Sequence, residues 1–281
     1  MRELVLSALS LFAFSGTAAN AMTLKTPSGY VSEVTIHSAQ GDIRPVTIVF
    51  LHGKSAAPDK PWLTSLYSTL NQSGYRVMAP QMPWGKWDGT LQQGLEVVDA
   101  AVQAAAKDGH KVVVAGHSAG GLGVILYRPA DPPKALAGKV MLAVGHLLDT
   151  ASPAFQSIFA EPVRSARELK AAGKGKQTER FTAVNTKGKK RYEETLITTP
   201  EIFLSYHDLE TFPSTTAALK QTRVPVFWAI ANHDTIGNNK RPTYNFIPER
   251  PENVYLEVEA DHNTMTDRSA EDLIKWLNKL P

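Results

Sequence analysis

The sequence contains no cysteine. That excludes disulfide staples, thiol nucleophiles and cysteine-ligated zinc, and it leaves the fold to be held by its core alone. Beyond the N-terminal segment no stretch is long and apolar enough to cross a bilayer as a helix. The histidines and acidic residues show no compact metal-ligand spacing, so no metal and no other cofactor is expected. Charge of one sign is also scarce. A net +3 over 281 residues does not by itself imply a nucleic-acid partner. What the chain does have is bulk. At 43% hydrophobic and 20% charged it has the composition of a globular protein, with roughly 260 residues to build a core.

The first residues, MRELVLSALSLFAFSGTAANAMTL, have the pattern of an export signal. Arg2 supplies a positive start, residues 4–14 an apolar core too short for a stable span, and Ala19-Asn20-Ala21 a small-x-small cleavage site. Glu3 weakens the positive start. The expectation is a signal peptide over 1–21 and a mature chain 22–281, periplasmic or secreted.

Apolar runs bounded by turn residues predict strands at PVTIVFLHG (45–53), YRVMAP (75–80), KVVVAGHS (111–118), KVMLAVGH (139–146), VPVFWAIANHD (224–234) and NVYLEVEADH (253–262). Helices are expected at 62–72, 91–107, 119–127 and 270–279. In 91–107, Leu91, Leu95, Val98 and Val102 keep helical spacing, with Gly109 suited to the C-terminal end. Strands that are apolar throughout suit burial on both faces. The alternation therefore predicts an α/β fold, a doubly wound, mostly parallel sheet flanked by helices. SEVTIHSA (32–39) alternates instead, and reads as an antiparallel edge strand. No internal repeats occur.

Almost eighty residues separate the strand ending near His146 from the one starting at Val224, too many for an ordinary connection. An insertion over about 150–222 is expected, with a hairpin turning at Lys187-Gly188. Residues 164–191 carry ten Lys/Arg against two Glu, a net +8, so the rest of the chain carries −5. Two readings stay open for this segment: a solvated insertion, or a positive cap attracting anionic substrate or envelope surface.

The stretch VVVAGHSAGG (112–121) places Ser118 between a buried strand and a helix. A serine hydroxyl is a weak nucleophile, which needs a base, an acid to orient that base, and donors for the oxyanion. Gly116, Gly120 and Gly121 permit a sharp turn, and the Ala119 N–H would face the oxyanion at a helix N-terminus. The second donor is expected after the strand ending at His52-Gly53, at the Lys54 N–H with Ser55 as the alternative. Gly53-Lys54-Ser55 is not a phosphate-binding loop, because that motif needs glycine where Ile48 stands. Asp234 follows a later strand and His262 the next one, giving the order serine, acid, base.

These motifs, His52-Gly53, Gly116 to Gly120, Asp234 and His262, resemble those of the α/β-hydrolase superfamily, over about Val31 to Leu280 outside the insertion. The resemblance implies a serine hydrolase of the exported bacterial type, with a helical cap inserted between the sixth and seventh strands. It also implies a structural role for His52. A serine at the elbow sets aside the aspartate-nucleophile branches, haloalkane dehalogenases and epoxide hydrolases. The implied reaction is cleavage of a carboxyl ester or thioester, small or envelope-derived, through an acyl-enzyme on Ser118. Acyl transfer by the same triad and an inactive binding module of the same fold are the alternatives. The substrate's identity and the oligomeric state are not readable.

Other residues have less specific readings. His117 is expected to pack, His146 to line the pocket, and His207-Asp208 to be structural or pocket-lining. Asp149 is the rival acid, while His233 and Asp261 adjoin the chosen pair. Trp62, Trp84 and Trp87 read as core or loop anchors, the last two near the pocket rim.

Overall fold

The structure is a computed structural model that describes residues 20–129, 133–185, 192–235 and 241–280. Among these residues ten strands occur: β1 (Asn20–Lys25), β2 (Val31–His37), β3 (Val46–Leu51), β4 (Arg76–Pro80), β5 (Lys111–His117), β6 (Leu136–Leu142), β7 (Glu179–Asn185), β8 (Tyr192–Thr198), β9 (Val226–Ala231) and β10 (Val254–Val258). Eight of them form one sheet in the order β1-β2-β4-β3-β5-β6-β9-β10. β1 and β2 are antiparallel to each other, and β2 to β4. Every other pairing in the sheet is parallel.

All six residues of β3 and all six of β9 are buried, because helices cover both faces of the sheet. Successive side chains point to opposite faces. Val49, Leu51, Val112 and Val114 join one core, and Ile48, Phe50, Val113 and Ala115 join the other. The helix Leu91–Ala106 begins in a capping box, in which Thr90 and Gln93 bond each other's main chain. The helices Pro61–Gln72, Ala119–Leu126 and Ala270–Leu277 occupy the other expected places.

Two expectations need correction. β2 is antiparallel, as its alternation suggests, but it is not the edge. β1 pairs outside it, with Met22 opposite Val34 and Leu24 opposite Ser32. β1 went unread because its residues follow directly on the leader-like segment, and only Leu24 of the six is buried. β6 starts three residues earlier than expected and ends at Leu142, so Lys139 lies within the strand and His146 beyond it. The chain turns off the sheet there because Ala143 and His146 take positive φ, 45° and 62°.

Between β6 and β9 lie the helices Pro153–Ser157, Ala160–Leu169, Pro200–His207 and Thr215–Lys220, with β7 and β8 as an antiparallel pair. The expected hairpin is therefore present, while its turn at Lys187-Gly188 lies outside the described residues. Several contacts tie the segment to the rest of the chain, among them three polar ones. The Thr198 hydroxyl donates to the Trp87 carbonyl at 2.6 Å, the Leu91 N–H donates to Ser205 Oγ at 3.0 Å, and Lys54 Nζ pairs with Glu194 at 2.6 Å. Part of the basic charge is neutralised internally. Arg167 binds Asp208 and, at 2.8 Å, Glu210, and Arg164 binds Glu161. Among the described residues no helix is long and apolar enough to cross a membrane.

Candidate functional site

Ser118 follows β5 directly and precedes the helix Ala119–Leu126, and its backbone stands at φ 57°, ψ −122°. A residue with a Cβ is strained there. The strain is held from three sides, since the Ser118 N–H donates to the Leu142 carbonyl at 2.9 Å and the Ser118 carbonyl accepts from Gly121 (2.9 Å) and Gly145 (3.1 Å). A Cβ on Gly116 would overlap the Gly120 carbonyl, and one on Gly120 would overlap the Leu51 carbonyl. Helix, elbow and strand thus meet at main-chain contact, which only glycine allows at these two positions.

Two further glycines border the hydroxyl. Added Cβ atoms on Gly53 and Gly145 would lie 3.5 and 3.4 Å from Ser118 Oγ. Gly145 was not singled out in the sequence, where it reads only as part of a strand end. Its position beside Ser118 follows from the turn that carries the chain off β6.

Asp234 sits three residues after β9, and His262 four residues after β10. These neighbouring parallel strands bring the two together: His262 Nδ1–H donates to Asp234 Oδ2 at 2.7 Å, with side chains only 11% and 5% exposed. The bond fixes the ring and leaves Nε2 as the nitrogen able to take a proton. The adjoining residues are engaged elsewhere. His233 pairs with Glu259 on the surface. Asp261 accepts from the main chain of Asn263 and Thr264, which holds its carboxyl below the usual range. Asp149, the rival acid, accepts from the Thr215 N–H at 2.8 Å and from the Thr215 hydroxyl, at the start of the helix Thr215–Lys220.

The loop after β3 is set by His52, which is 1% exposed. Its Nδ1–H donates to the Gly53 carbonyl at 2.8 Å, and its Nε2 accepts from the Met82 N–H at 2.9 Å. Burial pushes its pKa down to about 4, so the ring is neutral and both nitrogens are structural. Of the two oxyanion-donor candidates in this loop, Ser55 already gives its N–H to the Trp84 carbonyl at 3.0 Å. That favours Lys54.

Lys54 and Ala119 both border a narrow cleft. Trp84, Trp87, Leu91, Leu122, His146 and Tyr206 complete its walls. His146 donates from Nε2 to the Tyr206 carbonyl at 2.9 Å, and burial, then the nearby Lys54 charge, pushes its pKa down to about 4. His207 stacks on Phe203, with centroids 4.4 Å apart, and lies edge-on to His146 at 4.9 Å. Sequence reasoning missed Tyr206 and Glu194 because nothing local distinguishes a residue between β6 and β9 that folds back onto the loops after β3 and β4. Among the described residues no group of His, Asp and Glu could hold a metal ion.

The geometry can be set beside known proteins. Residues 48–275 match the description "Alpha/beta hydrolase family". A search among curated proteins finds no match. Among solved structures, DcsB in complex with its substrate analogue aligns with TM-score 0.71 at 14% identity, over 94% of this chain and all of that one. Est1E from Butyrivibrio proteoclasticus gives 0.62 at 16%, over 93% of this chain and all of the other. Monoacylglycerol lipase of Paleococcus ferrophilus gives 0.61 at 17%, over 87% and 98%. At such identities these likenesses speak for the fold. The family match spans most of the chain and includes the elbow, the acid and the histidine, so this protein belongs to the alpha/beta hydrolase family.

Proposed function

We propose that the protein is a serine hydrolase that cleaves a carboxyl ester or thioester through an acyl-enzyme on Ser118. The observation that carries the reading is the Asp234–His262 hydrogen bond, at the same end of the sheet as a serine held at φ 57°. In the proposed cycle His262 Nε2 takes the Ser118 proton as Oγ attacks the carbonyl carbon. The oxyanion is held by the Lys54 and Ala119 N–H groups. His262 then returns the proton to the leaving alcohol or thiol, and water repeats the sequence to release the acid. Asp234 stabilises the imidazolium and stays ionised.

The leader-like segment supports export, so the site of action is assigned to the periplasm or the medium. Cleavage after Ala21 would remove two of the six β1 pairings and leave Met22 to Lys25 in place.

A fluorophosphonate probe tests the assignment. It is expected to label the protein once, at Ser118, and Ser118→Ala is expected to abolish labelling and ester hydrolysis together. Labelling that persists in this variant would refute it.

A further inference from the structure

The Lys54 N–H, proposed above as an oxyanion donor, belongs to the peptide that joins Gly53 to Lys54. Gly53 lies against the nucleophile, since a Cβ added to it would stand 3.5 Å from Ser118 Oγ. The peptide is planar and trans, so its N–H points away from its carbonyl. His52 Nδ1 holds that carbonyl at 2.8 Å, and one residue on the Ser55 N–H donates to the Trp84 carbonyl at 3.0 Å. Both bonds lie on either side of Lys54, and neither acts on its own Cα.

The Lys54 side chain is held from a distant part of the chain. Its Nζ donates to Glu194 Oε1 and Oε2 at 2.6 and 2.7 Å, and both side chains are largely buried. Glu194 stands on β8, where alternate side chains turn to the same face. On that face Leu196 is buried and the Thr198 hydroxyl donates to the Trp87 carbonyl at 2.6 Å. β7 keeps the register, with Ala183 opposite Glu194 and Phe181 opposite Leu196, and Phe181 stacks on Phe203 at 4.4 Å. The carboxylate is thus presented by a braced strand, and removing it would leave the Lys54 charge poorly solvated.

We infer that Glu194 is a positioning residue for hydrolysis, which acts by tethering the Lys54 side chain. The tether restrains rotation at the Lys54 Cα and so keeps the Lys54 N–H directed at the oxyanion. The segment between β6 and β9 thereby completes a catalytic centre whose other members follow β3, β5, β9 and β10. This rests on the serine-hydrolase reading above.

The test uses the full chain and the p-nitrophenyl ester that the wild type hydrolyses fastest. An alkyl trifluoromethyl ketone, whose adduct with Ser118 carries the oxyanion, serves as the second probe. Glu194→Ala and Lys54→Met are each expected to lower kcat by about 10- to 100-fold with KM little changed. Affinity for the ketone is expected to fall by the same factor as kcat. The double variant removes both charges, so it is expected to regain the stability lost by Glu194→Ala without regaining kcat. Recovery of kcat together with stability would overturn the inference, because the unpaired charge alone would then explain the loss. So would losses in the two single variants that multiply in the double, or a raised KM at unchanged kcat. Should Glu194→Ala fail to fold, Glu194→Gln, which keeps one acceptor, carries the test. It is expected to lose about 3- to 10-fold in both kcat and ketone affinity, and wild-type values in both would overturn the inference. A wild type that neither hydrolyses an ester nor takes a fluorophosphonate at Ser118 would overturn the underlying reading, and the role of Glu194 with it.

Discussion

The Nε2–H of His117 donates to the main-chain carbonyl of His262 at 2.8 Å, and the two rings lie 4.7 Å apart. His117 is the residue immediately before Ser118, so a single side chain links the elbow to the loop that carries the proposed base. Burial, then the neighbouring His262, pushes its pKa down to about 4, and the ring acts as a neutral strut. His117→Phe keeps the packing and removes the N–H. Steady-state kinetics are expected to show kcat lower by about 10- to 100-fold with KM little changed, the signature of a displaced catalytic group. An unchanged kcat would reduce His117 to packing.

The two candidate acids predict different failures. Asp234→Asn is expected to lower kcat by about 10⁴-fold while leaving the melting temperature nearly unchanged, because the imidazole loses its orienting partner. Asp149→Ala is expected to keep kcat and cost about 1–2 kcal/mol in urea unfolding, since its carboxylate binds the first turn of the helix Thr215–Lys220. The reverse pattern would exchange their roles.

Acid should destabilise the fold through its buried histidines. His52, His117 and His146 are each held near pKa 4 by burial, and His207 is pushed well below its ordinary value. Between the unfolded value of about 6.5 and the folded value near 4, the unfolded chain holds protons that the folded chain does not. Stability is therefore intact above pH 6.5 and is lost as pH falls toward 4, by up to about 1.4 kcal/mol per pH unit for each group. His207→Phe, which removes a buried Nε2 without a hydrogen-bond partner, is expected to flatten this loss in denaturant titrations at pH 7, 5.5 and 4.5. An unaltered slope would show that His207 does not contribute.

Lys139 predicts linkage of the same sign in a higher pH window. It is 4% exposed within β6, its Nζ donates to the Tyr127 carbonyl at 2.8 Å, and burial, then Arg128, pushes its pKa down to about 7. Between pH 7 and the unfolded value of about 10.5 the unfolded chain binds the extra proton, so the penalty is full below pH 7 and fades as pH rises. Lys139→Met is expected to stabilise the protein by about 1–3 kcal/mol at pH 6 and by much less at pH 10. A gain independent of pH would rule out burial of the charge as the cause.

Strand positions were legible because β3, β5 and β9 are apolar on both faces, and only a doubly covered sheet buries such runs. The order of Ser118, Asp234 and His262 was legible for the same reason, each residue following a recognisable strand. Lys139 misled, since a lysine reads as the solvent end of a strand, and its burial depends on a carbonyl of Tyr127 twelve residues away. β1 was hidden by its neighbourhood and by its single buried residue. His117, Glu194 and Tyr206 act through contacts with distant segments of the chain, which no local pattern encodes. Within the basic segment Arg167 is committed to Asp208 and Glu210, while Lys187, Lys189, Lys190 and Arg191 lie outside the described residues.

The order of the strands also sets when activity appears during folding. β5 and β6 are close in sequence and can pair at smaller entropic cost than β6 and β9, which are separated by almost eighty residues. Asp234 and His262 both lie beyond that junction. A refolding chain would thus acquire most of its helical signal before it could turn over substrate, and recovery of turnover would time the closure of β6 on β9. For a chain carried across a membrane unfolded, the same delay would keep the nucleophile silent until translocation had ended.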